Sequence, residues 1–130
     1  MKPYKSIFRE KNKYLEMATL LRFSKNGYYY IQVVSREGAI PHFHLTNKQK
    51  FILKVIIPDV APDDYSDIQY INWKQQQKFM PDNITDILKE LVVLLKSKPD
   101  KTNFPTLLDA IKYQWDVNNP EYAKFGYKPY

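Results

Sequence analysis

Residues 38–45, Gly38-Ala39-Ile40-Pro41-His42-Phe43-His44-Leu45, hold both histidines of the chain, one residue apart and directly after a proline. Imidazole is the side chain best suited to carry a proton or bind a metal near neutral pH. Pro41 fixes its own backbone and biases Ile40 toward extended geometry. Phe43 and Leu45 alternate with the histidines, so the spacing predicts a short strand with both imidazoles on one face. Same-face neighbours on a strand start roughly 6–7 Å apart, so the rings can converge on one metal ion, one phosphate or one proton-transfer site. On a half-exposed strand the same pair can do no more than hydrogen-bond loop carbonyls and water.

A metal pair needs a third ligand, usually His, Cys or a carboxylate. There is no further His and no Cys, so the third must be acidic. Asp59, Asp63, Asp64 and Asp67 form the one acidic cluster in a basic chain, although aspartates that cap the turns of a solvated loop have the same composition. A metal site of His42, His44 and one of these four aspartates is one functional expectation, although no ligand is assigned and no cofactor is expected. In metal-free RNA cleavage, one imidazole takes the 2′-hydroxyl proton and the other protonates the leaving oxygen. Arg36 or Lys48 would offset the phosphate charge. The candidate catalytic residues are thus His42, His44 and Arg36. The candidate binding residues are Lys48, Tyr28, Tyr30 and Tyr127.

The elements that must position these groups follow from periodicity. Residues 17–24 and 28–35 are predicted strands joined by Lys25-Asn26-Gly27, and Asn-Gly between apolar runs is a strong hairpin signal. Residues 51–57 alternate as a buried strand, with Phe51, Leu53, Val55 and Ile57 on one face. Residues 68–73 suggest one more. Pro81-Asp82-Asn83 opens a helix with Asp82 or Asn83 as N-cap. Its stripe is Ile84, Ile87, Leu88, Leu91, Val92 and Leu95. A second helix is expected over residues 104–117, with Pro105 in its first turn. The short connection makes the two helices neighbours. The pattern predicts a single α+β domain. Its small, mostly antiparallel sheet is an N-terminal hairpin plus two or three further strands, covered on one face by two C-terminal helices. A basic arm (1–13) and a Tyr-rich tail (118–130) flank it.

At 130 residues and 44% hydrophobic content, one domain with a real core is expected. The net charge of +6 favours an anionic partner, RNA or DNA, and argues against a DNA mimic. The absence of cysteine excludes disulfides and fits a cytoplasmic protein. The N-terminus has no apolar signal core. The run Leu91-Val92-Val93-Leu94-Leu95 is too short to span a bilayer, so no membrane partner is expected.

From Thr19 onward the order of features resembles a family of small uncharacterised bacterial proteins. Leu20-Leu21-Arg22-Phe23 leads to a hairpin, a Tyr/Ile/Val strand and Pro41-His42-Phe43-His44-Leu45. A hydrophobic strand and a helix follow, with an aromatic close near Trp115. That family's hallmark is a Pro-Pro-His-Phe-His-Val-like motif after an N-terminal hairpin, and its members often sit in toxin–antitoxin-like gene pairs. Here Ile40 replaces the first proline and Leu45 the valine. The resemblance implies only His42 and His44 as site residues. Histidine-triad hydrolases fit worse, because Thr46 stands where a third His is needed. Cupins fit worse too, because Gly38 lies too close to the pair and no Glu follows before Glu90.

Two further functional expectations result. One is a nucleic-acid-directed module of toxin–antitoxin or defence type, with action on RNA through the His-x-His pair as its expected chemistry. The other is a non-catalytic interaction partner — antitoxin-like, regulatory or a phage-borne inhibitor — that binds protein through its Tyr-rich surface and tail. The sequence does not decide whether the protein is an enzyme.

Overall fold

The computed structural model describes residues 17–23, 29–47, 51–71, 84–99 and 103–126. Five strands, β1 (Met17–Phe23), β2 (Tyr29–Val34), β3 (His42–Asn47), β4 (Phe51–Ile56) and β5 (Tyr70–Ile71), lie in sequence order in one sheet, and every neighbouring pair is antiparallel. Helices α1 (Ile84–Lys96) and α2 (Leu107–Asn118) follow. The protein is an α+β fold with its helices C-terminal, as the apolar spacing predicts.

Alternation along the strands decides which side chains meet the helices. Ile31 and Val33 of β2, Phe43 and Leu45 of β3, and Val55 of β4 are buried in one core with Ile87, Leu91 and Leu95 of α1 and Leu107, Ile111 and Trp115 of α2. Burying each such side chain contributes about 1.5–3 kcal/mol. A one-residue slip of β3 would exchange Phe43 and Leu45 for the histidines, so this core also fixes the register on which the site depends. The register pairs Gln32 with His44 and His44 with Lys54, which sets those three in a row across the sheet. The pairing shifts between Leu45 and Thr46, beyond the histidines, where a bulge takes up one residue of β4.

The sequence pattern starts the second helix at residue 104, but α2 begins at Leu107. Thr106 is the reason. Its backbone is extended and its hydroxyl accepts the Asp109 N–H at 3.2 Å, so Pro105 stands outside the helix. The Leu107 N–H donates to the Ser97 carbonyl at 2.7 Å, which ties the start of α2 to the end of α1. At the other end, the buried Asn119 amide donates to the Val34 carbonyl at 2.9 Å and to the Trp115 carbonyl at 3.2 Å. Asn118 reaches the Val33 carbonyl at 3.2 Å. The C-terminal end of α2 is thus fastened to the end of β2, beside the start of β3.

The described part of the tail is docked. Asp116 accepts the N–H groups of Lys124 at 2.8 Å, Phe125 at 3.1 Å and Gly126 at 2.7 Å, and the Trp115 indole N–H donates to the Tyr122 carbonyl at 3.1 Å. The arm 1–13, the Asn26-Gly27 turn, Tyr28, Lys48, the helix opening at Asp82 and Asn83, and Tyr127 lie outside the described residues. No described helix is long and apolar enough to cross a membrane.

Candidate metal centre

His42 and His44 leave β3 on the same side, and their rings stack with centroids 5.6 Å apart and planes 30° to each other. The period-two expectation holds in this respect. Exposure differs from the half-exposed strand expected: His42 is 2% exposed and His44 8%. The Trp115 indole of α2 lies 5.6 Å from the His42 ring and helps to bury it.

The third member is Glu37, which sequence reasoning treated as loop. Two residues in the left-handed region bracket it: Arg36 at φ 65° and Gly38 at φ 96°. Such values are ordinary for glycine and uncommon for arginine. They turn the chain between β2 and β3 so that the Glu37 carboxylate returns over the histidines. His44 Nε2–H donates to Glu37 Oε1 at 2.9 Å, and His42 Nε2 lies 3.2 Å from the same oxygen. The Lys54 ammonium, next to His44 by register, is 3.2 Å from it as well.

The two rings are not equivalent. His42 Nδ1–H donates to the Ile40 carbonyl at 2.8 Å, while its Nε2 faces Glu37 Oε1. Both ring nitrogens of His42 therefore face oxygen acceptors, but a neutral imidazole has one proton to donate. With Nδ1–H on the Ile40 carbonyl, a neutral ring turns its Nε2 lone pair toward Glu37 Oε1. A backbone carbonyl on Nδ1–H is the usual arrangement that fixes the tautomer of a metal-binding histidine and leaves Nε2 as the ligand.

Burial lowers the proton affinity of His44 in spite of the hydrogen bond to Glu37, which favours the neutral ligand form. Burial acts to raise the Glu37 carboxyl, but the contacts with His44 and Lys54 outweigh it and hold the group below its ordinary value of 4.5. The donor set is thus two imidazoles and one carboxylate. Their ligand atoms all lie within 4.8 Å of one another, the group of this kind found among the described residues. Metal–ligand bonds of 2.0–2.1 Å in a tetrahedron imply ligand–ligand edges of about 3.3 Å. The two nitrogen–oxygen contacts of 2.9 and 3.2 Å are already close to that edge. An ion would enter with loss of the intervening proton and a shift of ligand atoms that now face one another within 4.8 Å.

The acidic cluster does not reach the histidines. Asp63 pairs with Lys96 of α1, and Asp59 pairs with Lys124 at 3.5 Å while its carbonyl accepts the Lys112 ammonium at 2.6 Å. Arg36 is exposed and contributes the left-handed turn. Tyr30 lies opposite Thr46 in the register of β2 and β3. The cation that contacts the carboxylate is Lys54, which sequence reasoning did not select. Its alternation with Val55 in β4 was the available signal, because it places Lys54 on the side away from the core.

Fold and site together define a small α+β protein with an antiparallel sheet and a two-histidine, one-carboxylate cluster at the start of its third strand. No protein-family model, curated protein or solved structure matches the chain.

Proposed function

We propose that this is a metal-binding protein whose centre is Glu37, His42 and His44, taking a divalent transition-metal ion of the zinc type. The sequence offers Asp59, Asp63, Asp64 or Asp67 as the third ligand of such a site; the reading here rests on Glu37 instead. The observation that carries it is His42, a buried ring with oxygen acceptors at both nitrogens. Imidazole and carboxylate donors suit zinc and its neighbours, and three protein ligands with a position left over are the pattern of reactive rather than purely structural sites. In such a site the ion activates a bound water or polarises an oxygen of the substrate.

The test is metal analysis and Co(II) titration of protein purified without a histidine tag. Near-stoichiometric metal is expected. Glu37→Gln keeps the side-chain shape, removes the anionic ligand, and should weaken affinity by at least about tenfold. Metal content near zero after growth in supplemented medium, with no Co(II) spectrum, rejects the reading.

A nucleic-acid-directed role is a second reading, supported by the net charge of +6. In this geometry the two histidines do not serve it as an independent acid and base, because both Nε2 atoms face one carboxylate oxygen. Co-purifying RNA, read from the absorbance ratio and lost at high salt, is the expected result. Its absence at low salt rejects this role.

A further inference from the structure

We infer that the Glu37–His42–His44 centre, once it holds a divalent ion, takes a phosphate-type oxyanion as its further ligand, and that Lys54 holds the other end of that anion. This rests on the metal reading above.

The argument is one of charge and position. Without metal, the negative charge of Glu37 faces the Lys54 ammonium 3.2 Å away. A divalent ion bound by imidazole nitrogen lone pairs adds two positive charges beside the Lys54 ammonium. Two of its ligands are almost wholly buried, where like charges repel far more strongly than in water. Either Lys54 moves away or an anion comes in.

Position favours the second course. Lys54 sits in the interior of the sheet, paired with His44 on one side and with Ile71 on the other. Its side chain is 13% exposed, so the stem is held and the ammonium has little room to leave. The more open approach is along Glu37, whose side chain is 32% exposed at the edge of the loop.

Phosphate fits that approach better than a carboxylate. A phosphate dianion cancels both excess charges. Its tetrahedral oxygens let one bind the metal while another accepts from the ammonium. Three protein ligands leave the coordination position that the first oxygen needs. The net charge of the chain enriches such anions around it. Free or terminal phosphate offers that dianion, while the backbone of a nucleic acid offers the same oxygens with a single charge.

The experiment measures Co(II) affinity of the tag-free, full-length protein by competition with a chromophoric chelator, with and without inorganic phosphate. It is repeated for Lys54→Met, whose folding is verified by circular dichroism, and for Lys54→Arg. Phosphate is expected to tighten Co(II) binding by about tenfold in the wild type, and Co(II) to tighten phosphate binding by the same factor, as linkage requires. The coupling should vanish in Lys54→Met and return in part in Lys54→Arg. A second arm replaces phosphate with a short RNA lacking terminal phosphates. Coupling to the RNA assigns the site to backbone phosphates, and coupling to inorganic phosphate alone assigns it to free or terminal phosphate. Wild-type affinity that ignores both anions overturns the inference and leaves the metal reading standing. Lys54→Met that binds Co(II) more tightly with the coupling intact makes Lys54 a mere competitor and also overturns it. No Co(II) binding by the wild type removes the metal reading and this inference together.

Discussion

At Glu37 a single carboxylate oxygen faces His42, His44 and Lys54, each within 3.2 Å. Arg36, its neighbour in the chain, instead serves the backbone turn, with an exposed side chain. The two residues should therefore part company under substitution. Arg36→Ala keeps a side chain at the same left-handed position and is expected to change Co(II) affinity by less than about twofold, the scale of an exposed charge in salt. Glu37→Gln should abolish most of that affinity. Equal losses in the same titration would return Arg36 to the working site. The histidine pair was legible because a strand has a period of two and Phe43 and Leu45 mark the other face. Glu37 was not, because its approach depends on two positive φ angles, one of them at an arginine, which no residue pattern signals. The acidic run at residues 59–67 stands out by composition alone, and the side chains of Asp59, Asp63 and Asp64 meet Lys124, Lys96 and Ser66.

The element that delivers the site is the connection from β2 to β3. Gly38 has open space where a Cβ would stand, so sterics with neighbours do not explain a glycine there. Its φ of 96° does, because L side chains avoid that region. Gly38→Ala is expected to cost about 1–2 kcal/mol through the backbone alone. It should also weaken metal binding beyond that of a variant equally destabilised elsewhere. Thr106→Ala supplies that comparison. Loss of the α2 cap should cost about 1 kcal/mol and leave Co(II) affinity unchanged. Urea denaturation gives the two stabilities and chelator competition the two affinities. Equal affinities for Gly38→Ala and the wild type would show that the turn does not position Glu37. The strands and helices themselves were legible from apolar spacing. The start of α2 was misplaced because Phe104 is buried ahead of the helix, and burial mimics a helical stripe when Pro105 is read as a first-turn residue.

For the molecule as a whole, the metal centre and the apolar core are one mechanical unit. Phe43 lies between the two histidines in sequence and on the core side of β3, while Trp115 is in the core and also lies against the His42 ring. Asn119 closes the circuit by fastening the end of α2 to the end of β2. An ion that binds the folded centre and not the unfolded chain stabilises the fold by about 2.7 kcal/mol at a hundredfold excess over its Kd. For a chain of this size that corresponds to a rise in Tm of roughly 5–10 °C. At the same metal concentration the rise should fall to about half or less in Glu37→Gln, as a tenfold or greater loss of affinity requires. Asn119→Ala removes two buried hydrogen bonds and should cost about 1–3 kcal/mol without metal. It should also narrow the metal-induced rise, because the helix that packs on His42 is then less firmly held. Differential scanning calorimetry of wild type, Glu37→Gln and Asn119→Ala, each with and without zinc, reads all three. A full metal-induced rise in Asn119→Ala would mean that the centre is held by the β2–β3 loop and β3 alone, without help from α2.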